Sequence, residues 1–244
     1  MLIIKSSIFK KYPEIIFGFS TKLGLQRENP YYFNMSLSVG DDKDIVLENR
    51  KSFFNSLDLL SENVALQKQI HGTNITIIEK AGLYDDSDAL ITTKKGIGLA
   101  TSSADCVTIF LYDPVNKVIA AVHSGWRGTV KQILTFTLKK LESVYNTSSE
   151  NLIAFIGPSI SQKNYEVGKE VAEQFDKKYL IPKGDKYLLD VSAVNYDILL
   201  NYSVKIENIE KSQLCSFEER NLLHSYRRDG KISGRALGVI ALRK

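Results

Sequence analysis

The segment VTIFLYDPVNKVIAAVH, residues 107–123, consists of two apolar runs joined by a polar turn. Both runs are rich in β-branched and aromatic residues, which favour strands. Asp113 and Pro114, followed by Asn116, are typical of a tight turn between two strands. An antiparallel hairpin is therefore predicted in the middle of the chain, and the sheet that contains it cannot be purely parallel.

Apolar runs of strand length recur on both sides of this hairpin, and segments with helical spacing of their apolar residues lie among them. The predicted strands are 15–19, 74–78, 89–92, 97–101, 107–112, 118–123, 152–156 and 237–242. The predicted helices are 44–59, 129–145, 167–179 and 192–202. This pattern predicts an α/β or α+β fold with a mixed sheet. A chain of 244 residues can bury one large core, so we expect one domain over 1–244, with 146–150 as the best candidate boundary.

Composition and motifs exclude several classes of protein. Hydrophobic residues make up 43% of the chain and charged residues 25%, which is typical of globular proteins. The net charge of +4 is mild, and no basic stripe is interleaved with aromatic residues, so we expect no nucleic-acid partner. Arg227 and Arg228, with Arg235 nearby, form the only local basic cluster, which suits either a small anionic substrate or a solvated loop.

The sequence also contains no membrane-spanning segment and none of several common cofactor-binding motifs. No apolar run is long enough to span a bilayer, and lysines interrupt the apolar residues near the start, so we expect a cytoplasmic protein with no membrane partner. The dinucleotide-binding and P-loop fingerprints do not occur. The zinc-deaminase signature, H-x-E with P-C-x-x-C, is also absent.

Histidine is scarce, and two of the three histidines lie in unusual segments beside predicted strands. His71 lies in QIHGTN and His123 in AVHSGWRGT, while Cys106, one of two cysteines, lies in TSSADCVTIF. Two imidazoles and a thiolate suit Zn²⁺, and three protein ligands would leave a fourth position open for chemistry. The spacings of 35 and 17 residues match no zinc-finger pattern, so Cys106 could also be a buried core residue. We expect His224 to be an exposed loop residue.

Six motifs follow one another along the chain. They are QIHGT (69–73), DALIT (88–92), SADCVTIFLYDP (103–114), AVHSGWRGT (121–129), IGPSISQKNYEVG (156–168) and SYRRDGKISGR (225–235). In this order they resemble the successive motifs of the laccase-domain family, whose members are also called multicopper polyphenol oxidoreductases or YfiH-like proteins. The resemblance extends from about residue 17 to residue 242.

The resemblance implies both a fold and an activity. The fold would be α+β, with mixed sheets flanked by helices in one laccase-domain-like domain, similar to toxin deamidases with a cysteine-centred site. The metal ligands would be His71, Cys106 and His123, and the metal would be zinc. The activity would be that of a purine nucleoside phosphorylase acting on adenosine, inosine and methylthioadenosine, with adenosine deaminase activity in addition. Its partners would be purine nucleosides and phosphate, and the oligomeric state, monomer or small homo-oligomer, stays open.

This chemistry would need further residues around the metal. We expect Arg127 to be catalytic and Arg228 to bind substrate, because both could contact phosphate or sugar. Trp126 could stack on the purine or pack as a corner residue. Asp105, or the substrate-binding candidate Glu166, could act as acid or base, and either could instead belong to a turn or a helix start.

Two features of the sequence limit these assignments. Neighbours on a regular strand point to opposite faces, so Asp105 and Cys106 can reach one ion only if the backbone turns between them. The chain also departs from the family pattern, with Lys22 where an arginine is common and Ser38 where a histidine is common. An ammonium at position 22 cannot make the bidentate contact of a guanidinium.

Other activities remain open. Copper-dependent oxidation of phenols is an older description of the family, but three histidines are too few for a multicopper cluster. The three candidate ligands could hold one copper ion, and the axial methionine of a blue-copper site would then have to be Met1 or Met35. Cys106 could instead be the nucleophile of a hydrolase, with His123 or His71 as base. Family members have been linked to such amide hydrolysis in the editing of cell-wall precursors. A purely structural zinc site would require a fourth protein ligand.

Overall fold

The computed structural model describes residues 1–244 and contains fifteen strands and six α-helices. In chain order the strands are β1 (Ile3–Ile4), β2 (Ile15–Ser20), β3 (Val64–Gln67), β4 (Ile75–Ile77), β5 (Gly82–Tyr84), β6 (Ala89–Thr92), β7 (Gly98–Ser103), β8 (Val107–Asp113), β9 (Val118–Ser124), β10 (Ile153–Ile156), β11 (Glu166–Val167), β12 (Leu180–Lys183), β13 (Lys186–Leu189), β14 (Ile209–Lys211) and β15 (Ala236–Leu242). The helices are α1 (Lys43–Asn55), α2 (Trp126–Val130), α3 (Ile133–Tyr145), α4 (Lys169–Ala172), α5 (Val191–Asn201) and α6 (Tyr226–Asp229). None of these helices combines the length and the apolar character needed to cross a membrane.

The strands form two large sheets and one small one. The first sheet has the order β1-β2-β15-β7-β3-β5, the second β14-β10-β8-β9-β6-β4, and the small third sheet β11-β13-β12. Each large sheet contains both parallel and antiparallel pairs. The predicted α+β fold with mixed sheets is therefore confirmed.

The predicted central hairpin is also confirmed, and it lies in the middle of the second sheet. β8 and β9 pair antiparallel, with Phe110 opposite Ala121 and Thr108 opposite His123. The turn closes because the Asp113 carboxylate accepts hydrogen bonds from the backbone N–H groups that follow it. This register brings the beginning of β8 beside the end of β9.

The two large sheets pack face to face, and helices cover their outer faces. Between the sheets lies an aromatic core in which the ring centroid of Phe17 is 5.0 Å from those of Phe110 and Phe155. α1 packs on the outer face of the first sheet, and α3 and α5 pack on that of the second. Each fully buried phenylalanine stabilises the fold by about 1.5–3 kcal/mol. Because both faces of each sheet are covered, strand ends and the loops beside them are where a ligand can enter.

Two of the predicted helices differ from the observed ones. The predicted helix 167–179 is wrong: the α-helix spans only Lys169–Ala172, and a 3₁₀ turn follows at Lys177–Tyr179. Asp176 begins this separate 3₁₀ turn, because its carboxylate accepts the Lys178 N–H at 2.9 Å. The predicted helix 129–145 begins earlier, at Trp126, and is interrupted at Gln132, whose φ of 67° is left-handed.

The expectation that His224 is an exposed loop residue is wrong. Its exposed fraction is 2%, and its ring packs against Gly234 so closely that a Cβ there would lie 2.5 Å from it. Burial, together with the positive charge of Lys22, lowers the pKa of His224 to about 3, against a weaker opposing effect of a hydrogen bond with the Phe33 backbone. The imidazole is therefore held neutral inside the protein, with Nε2 unpaired.

Burial of neutral His224 predicts acid sensitivity. In the unfolded chain this group titrates near pH 6.5, so its contribution to stability is complete above that pH and is lost as the pH falls towards 3. We expect His224→Asn, whose amide can replace Nδ1, to flatten the fall in free energy of unfolding between pH 7 and pH 5. Urea titrations of both metal-free proteins measure this, and an unchanged slope in the variant would contradict it.

Candidate metal centre

The structure brings the three predicted ligands together. One ligand atom from each of His71, Cys106 and His123 lies within 4.8 Å of the other two, and Cys106 Sγ is 3.9 Å from His71 Nε2. Ligands of a tetrahedral zinc ion lie about 3.3–3.6 Å apart, so small side-chain adjustments suffice. The donor set and its spacing therefore fit a metal ion held by three protein ligands.

Different elements carry the three ligands. His123 belongs to β9, and Cys106 directly precedes β8, so the central hairpin places them side by side. His71 lies in the loop between β3 and β4, and the Gln69 side chain ties this loop to the end of β7 through three hydrogen bonds with Ser102. One ligand thus lies in a buried strand, one directly precedes the neighbouring strand, and one belongs to a tethered loop.

The backbone adopts left-handed angles at two points of the centre. His71 has φ of 59°, and Asp105 has φ of 98°. Such angles cost roughly 1–3 kcal/mol for residues other than glycine. Between Ser103 and Val107 the chain leaves one strand and enters another, which supplies the turn that Asp105 and Cys106 require. Asp105 is used for structure there: its carboxylate accepts hydrogen bonds from Ser216 Oγ and the Arg227 N–H, both at 2.6 Å.

Asp88, which was not predicted to be a site residue, organises the centre. Its fully buried carboxylate accepts the Nδ1–H of His123 at 2.9 Å and backbone N–H groups of Ile70, His71 and Gly72 at 3.3, 3.0 and 2.7 Å. The Nε2 of His123 is thereby left for a metal, and the loop that carries His71 is fixed by the same carboxylate. In the sequence, Asp88 is marked by its place as the first residue of the DALIT motif (88–92), directly before a predicted strand.

In the metal-free centre, the negative charge of Cys106 and the positive charge of His123 stabilise each other. Burial raises the pKa of the Cys106 thiol, but His123 and His71 outweigh it and bring that pKa down to about 6. Burial lowers the pKa of His123, but the Cys106 thiolate and the Asp88 carboxylate raise it to about 9. Burial also raises the pKa of Asp88, yet hydrogen bonds from His123 and backbone N–H groups leave it below the usual value. Thiolate and imidazolium therefore coexist near neutral pH.

Cavities flank Cys106 on two sides. The larger one, of about 560 Å³, is lined by His71, Cys106 and His123 together with residues of the first sheet. The smaller one, of about 40 Å³, is mostly apolar and is lined by Cys106, Trp126 and Tyr165 among others. The centre therefore faces one space large enough for a metabolite and one narrow apolar recess.

The other predicted site residues lie around this centre in different ways. Exposed Arg127 stacks over the Trp126 ring, 4.3 Å from its centroid. Arg228 is directed inward, and its guanidinium N–H groups donate hydrogen bonds to the Asp229 carboxylate and to the carbonyl groups of residues 216, 217 and 223. Glu166 pairs with Lys183 and Lys186 and lines neither cavity.

Lys22 and Ser38, the two residues that depart from the family pattern, lie in different surroundings. Lys22 is 6% exposed; its Nζ donates to the Arg220 carbonyl at 3.1 Å and lies 3.9 Å from the ring centroid of Tyr32. Ser38 lines the large cavity, and its Oγ is 2.9 Å from that of Ser36. The ammonium thus has a structural partner, whereas Ser38 presents a hydroxyl group near the ligand space.

The fold and the site define an α+β protein whose His-Cys-His group lies at the strand ends of a two-sheet sandwich. The family model described as multi-copper polyphenol oxidoreductase laccase matches residues 16–243, and the chain belongs to this family. A purine nucleoside phosphorylase of Bacteroides thetaiotaomicron is 34% identical over 252 residues, which cover 96% of this chain and 93% of the relative. Adenosine deaminase RL5, from an unknown prokaryotic organism, is 31% identical over 255 residues, which cover 96% of this chain and 97% of the relative. The crystal structure of hypothetical protein YfiH from Bacillus licheniformis matches with a TM-score of 0.92 at 28% identity, covering 96% of this chain and 95% of that one.

Asp88→Asn tests the organising role of this carboxylate. An amide has one acceptor oxygen in place of two, so it leaves backbone donors of the His71 loop unpaired and no longer holds His123 firmly. We expect zinc affinity to fall about 10–100-fold in competition titrations with a chromophoric chelator. Asp85→Asn, at an exposed position of the same segment, is the control and should bind zinc like the wild type. Equal affinities of all three proteins would contradict this role.

The lowered pKa of Cys106 predicts selective labelling. In the metal-free protein iodoacetamide should modify Cys106 at neutral pH far faster than buried Cys215, with the reactive thiolate present above pH 6 and lost below it. Zinc should suppress the reaction. Peptide mass spectrometry over pH 5–8 measures both cysteines, and a midpoint near the ordinary thiol pKa of about 8.5 would be incompatible with the thiolate–imidazolium pair.

Proposed function

We propose that this protein is a zinc-dependent purine nucleoside phosphorylase that acts on adenosine, inosine and methylthioadenosine, with adenosine deaminase activity in addition. The observation that carries the proposal is the His71, Cys106 and His123 group, which opens directly into the large cavity. Three ligands without a fourth protein donor are typical of a catalytic rather than a structural zinc. The names of the similar proteins from Bacteroides thetaiotaomicron and of RL5 supply the substrate class.

Phosphorolysis joins a phosphate oxygen to C1′ of the sugar while the bond from C1′ to the purine nitrogen breaks and the purine gains a proton. Zinc bound by the three ligands would supply a Lewis acid. Asp88 keeps the proton on His123 Nδ1 and so orients the ring. Asp105 and Arg228 act as positioning residues, because both hold the segment that contains α6 against the site.

The remaining predicted residues receive more limited roles in this proposal. Trp126 forms a wall of the apolar recess next to Cys106, and Arg127 stays on its outer side, where it can meet a substrate that extends out of the site. Glu166 is neutralised by two lysines, which keep its pKa below the usual value and make it a poor general acid at neutral pH. We therefore place the chemistry at the side of Cys106 that faces the large cavity.

Amide hydrolysis is the second candidate, and one observation favours it. Cys106, His123 and Asp88 lie in the order nucleophile, base and orienting carboxylate, with His123 Nδ1 2.9 Å from Asp88. A thiolate next to an imidazolium is the reactive pair of cysteine hydrolases. A multicopper cluster for phenol oxidation would need more histidines than this group contains, because the third histidine, His224, is buried and lies outside it.

The decisive test is incubation of adenosine and inosine with and without inorganic phosphate. We expect phosphate-dependent release of adenine and hypoxanthine, together with ribose 1-phosphate, detected by liquid chromatography. Cys106→Ala should reduce the rate at least about 100-fold, because it removes a metal ligand. Cys215→Ala, at the other cysteine, should retain activity.

Metal removal and thiol modification distinguish the phosphorylase from the cysteine hydrolase. A zinc chelator should abolish phosphorolysis, whereas a cysteine hydrolase should survive metal removal and be inactivated by iodoacetamide. No phosphate-dependent release of base by the zinc-loaded wild type would overturn the proposed function.

A further inference from the structure

Two arginines enter the large cavity from different elements. Arg50 comes from α1 and Arg235 from the residue before β15, and both line the space that His71, Cys106 and His123 face. From the sequence, Arg235 belongs near a basic cluster that suits either a small anionic substrate or a solvated loop, whereas no pattern singles out Arg50. Residues far apart in the chain thus converge on one ligand space.

Neither guanidinium forms an ion pair. Arg50 donates from Nε to the Met35 carbonyl at 2.7 Å, and Arg235 donates from Nη1 to the Ser233 and Gly234 carbonyls at 2.7 and 3.0 Å. Both terminal nitrogens of Arg50, and Nε and Nη2 of Arg235, have no hydrogen-bond partner in the protein. The Arg235 guanidinium also lies 5.4 Å from the ring centroid of Tyr226, which lines the same cavity. These hydrogen bonds to carbonyl groups fix the orientation of both guanidinium groups and leave their other N–H groups free to bind a ligand.

The surroundings make these free donors unusual. No aspartate or glutamate lines the cavity, whereas Lys68 and the hydroxyl groups of Ser36, Ser38 and Ser102 do. Burial lowers the pKa of Arg50 and of Arg235, and for Arg235 the nearby Cys106 and Asp105 oppose this effect. A largely buried guanidinium without a carboxylate is costly unless a ligand supplies the missing negative charge.

We propose that Arg50 and Arg235 form an oxyanion subsite in the large cavity and that its ligand is inorganic phosphate, the co-substrate. The identification of the ligand as co-substrate rests on the proposed function. Planar guanidinium forks match the oxygen atoms of phosphate better than ammonium groups do, and serine hydroxyl groups can donate to the same oxygen atoms. Phosphate held there would share one space with the metal centre.

The other arginines near the site are less suited to this role. Arg228 has its donors engaged by Asp229 and backbone carbonyls. Arg127 is exposed and stacked on Trp126, and Arg227 donates to the Glu166 carbonyl outside the cavity. The expectation that Arg127 and Arg228 contact phosphate is therefore replaced, in this proposal, by Arg50 and Arg235.

The test measures phosphate binding directly. Isothermal titration calorimetry with inorganic phosphate, without nucleoside, is carried out on the zinc-loaded wild type and on Arg50→Gln and Arg235→Gln. We expect each variant to bind phosphate at least about 10-fold more weakly, because each loses charge-assisted hydrogen bonds. Arg243→Gln, which removes an exposed guanidinium that contacts the Pro13 carbonyl, is the matched control and should bind like the wild type. Circular dichroism verifies folding, and Arg50→Lys and Arg235→Lys, which keep the charge, replace any glutamine variant that does not fold.

Steady-state kinetics give a second readout. In the same variants the KM for phosphate should rise at least about 10-fold, while the KM for inosine should change less than about 3-fold. Phosphate affinity within about 2-fold of the wild type in both variants would overturn the subsite, and so would binding of ribose 5-phosphate without binding of free phosphate. If the wild type releases no base with phosphate, the proposed function fails, and the calorimetric titration still decides whether the two arginines bind phosphate.

Discussion

The Asp88 carboxylate accepts four hydrogen bonds inside the protein, one from His123 and three from the backbone of the loop that carries His71. These contacts join a strand of the second sheet to a loop that comes from the first sheet. A buried carboxylate with this many donors is stabilised in its charged form, which is why its pKa stays low despite complete burial. The distance between the two imidazoles, and thus the shape of the ligand group, depends on this one side chain.

The four-layer packing explains why the site lies where it does. Both large sheets are covered on their two faces, so the only openings are at strand ends and the loops beside them. Cys106 and His123 lie at one such end because the register of the central hairpin places them there. The left-handed backbone at Asp105 then turns Cys106 towards the ligand group, and packing of the neighbouring strands sustains that conformation.

Patterns of apolar and turn residues that extend over only a few neighbouring positions predicted most of the fold. The hairpin at 107–123 follows from two continuous apolar runs and the Asp-Pro turn between them, and these signals act over a few residues. The helix predicted at 167–179 is wrong because Val167 pairs with Tyr187 in the small sheet and Asp176 caps a separate 3₁₀ turn at Lys177–Tyr179. Apolar periodicity detects neither contact.

The site was predictable only in part, for a related reason. His71, Cys106 and His123 stood out through the scarcity of their residue types and through family resemblance. Asp88, Arg50 and Arg235 belong to ordinary residue types, and their importance arises from burial and from partners far away in sequence. The prediction that His224 is exposed was wrong for the same reason, since the residues next to it in the chain do not indicate that its ring is buried.

The unequal anchoring of the three ligands has a kinetic consequence. Cys106 and His123 are fixed to the most buried strands, which open only when the sheet itself opens, whereas His71 is held by the hydrogen bonds of a short loop. Local opening of that loop would detach one ligand and leave the other two in place. The residence time of a metal ion would then be governed by the opening rate of residues 70–72 and not by the global stability of the fold.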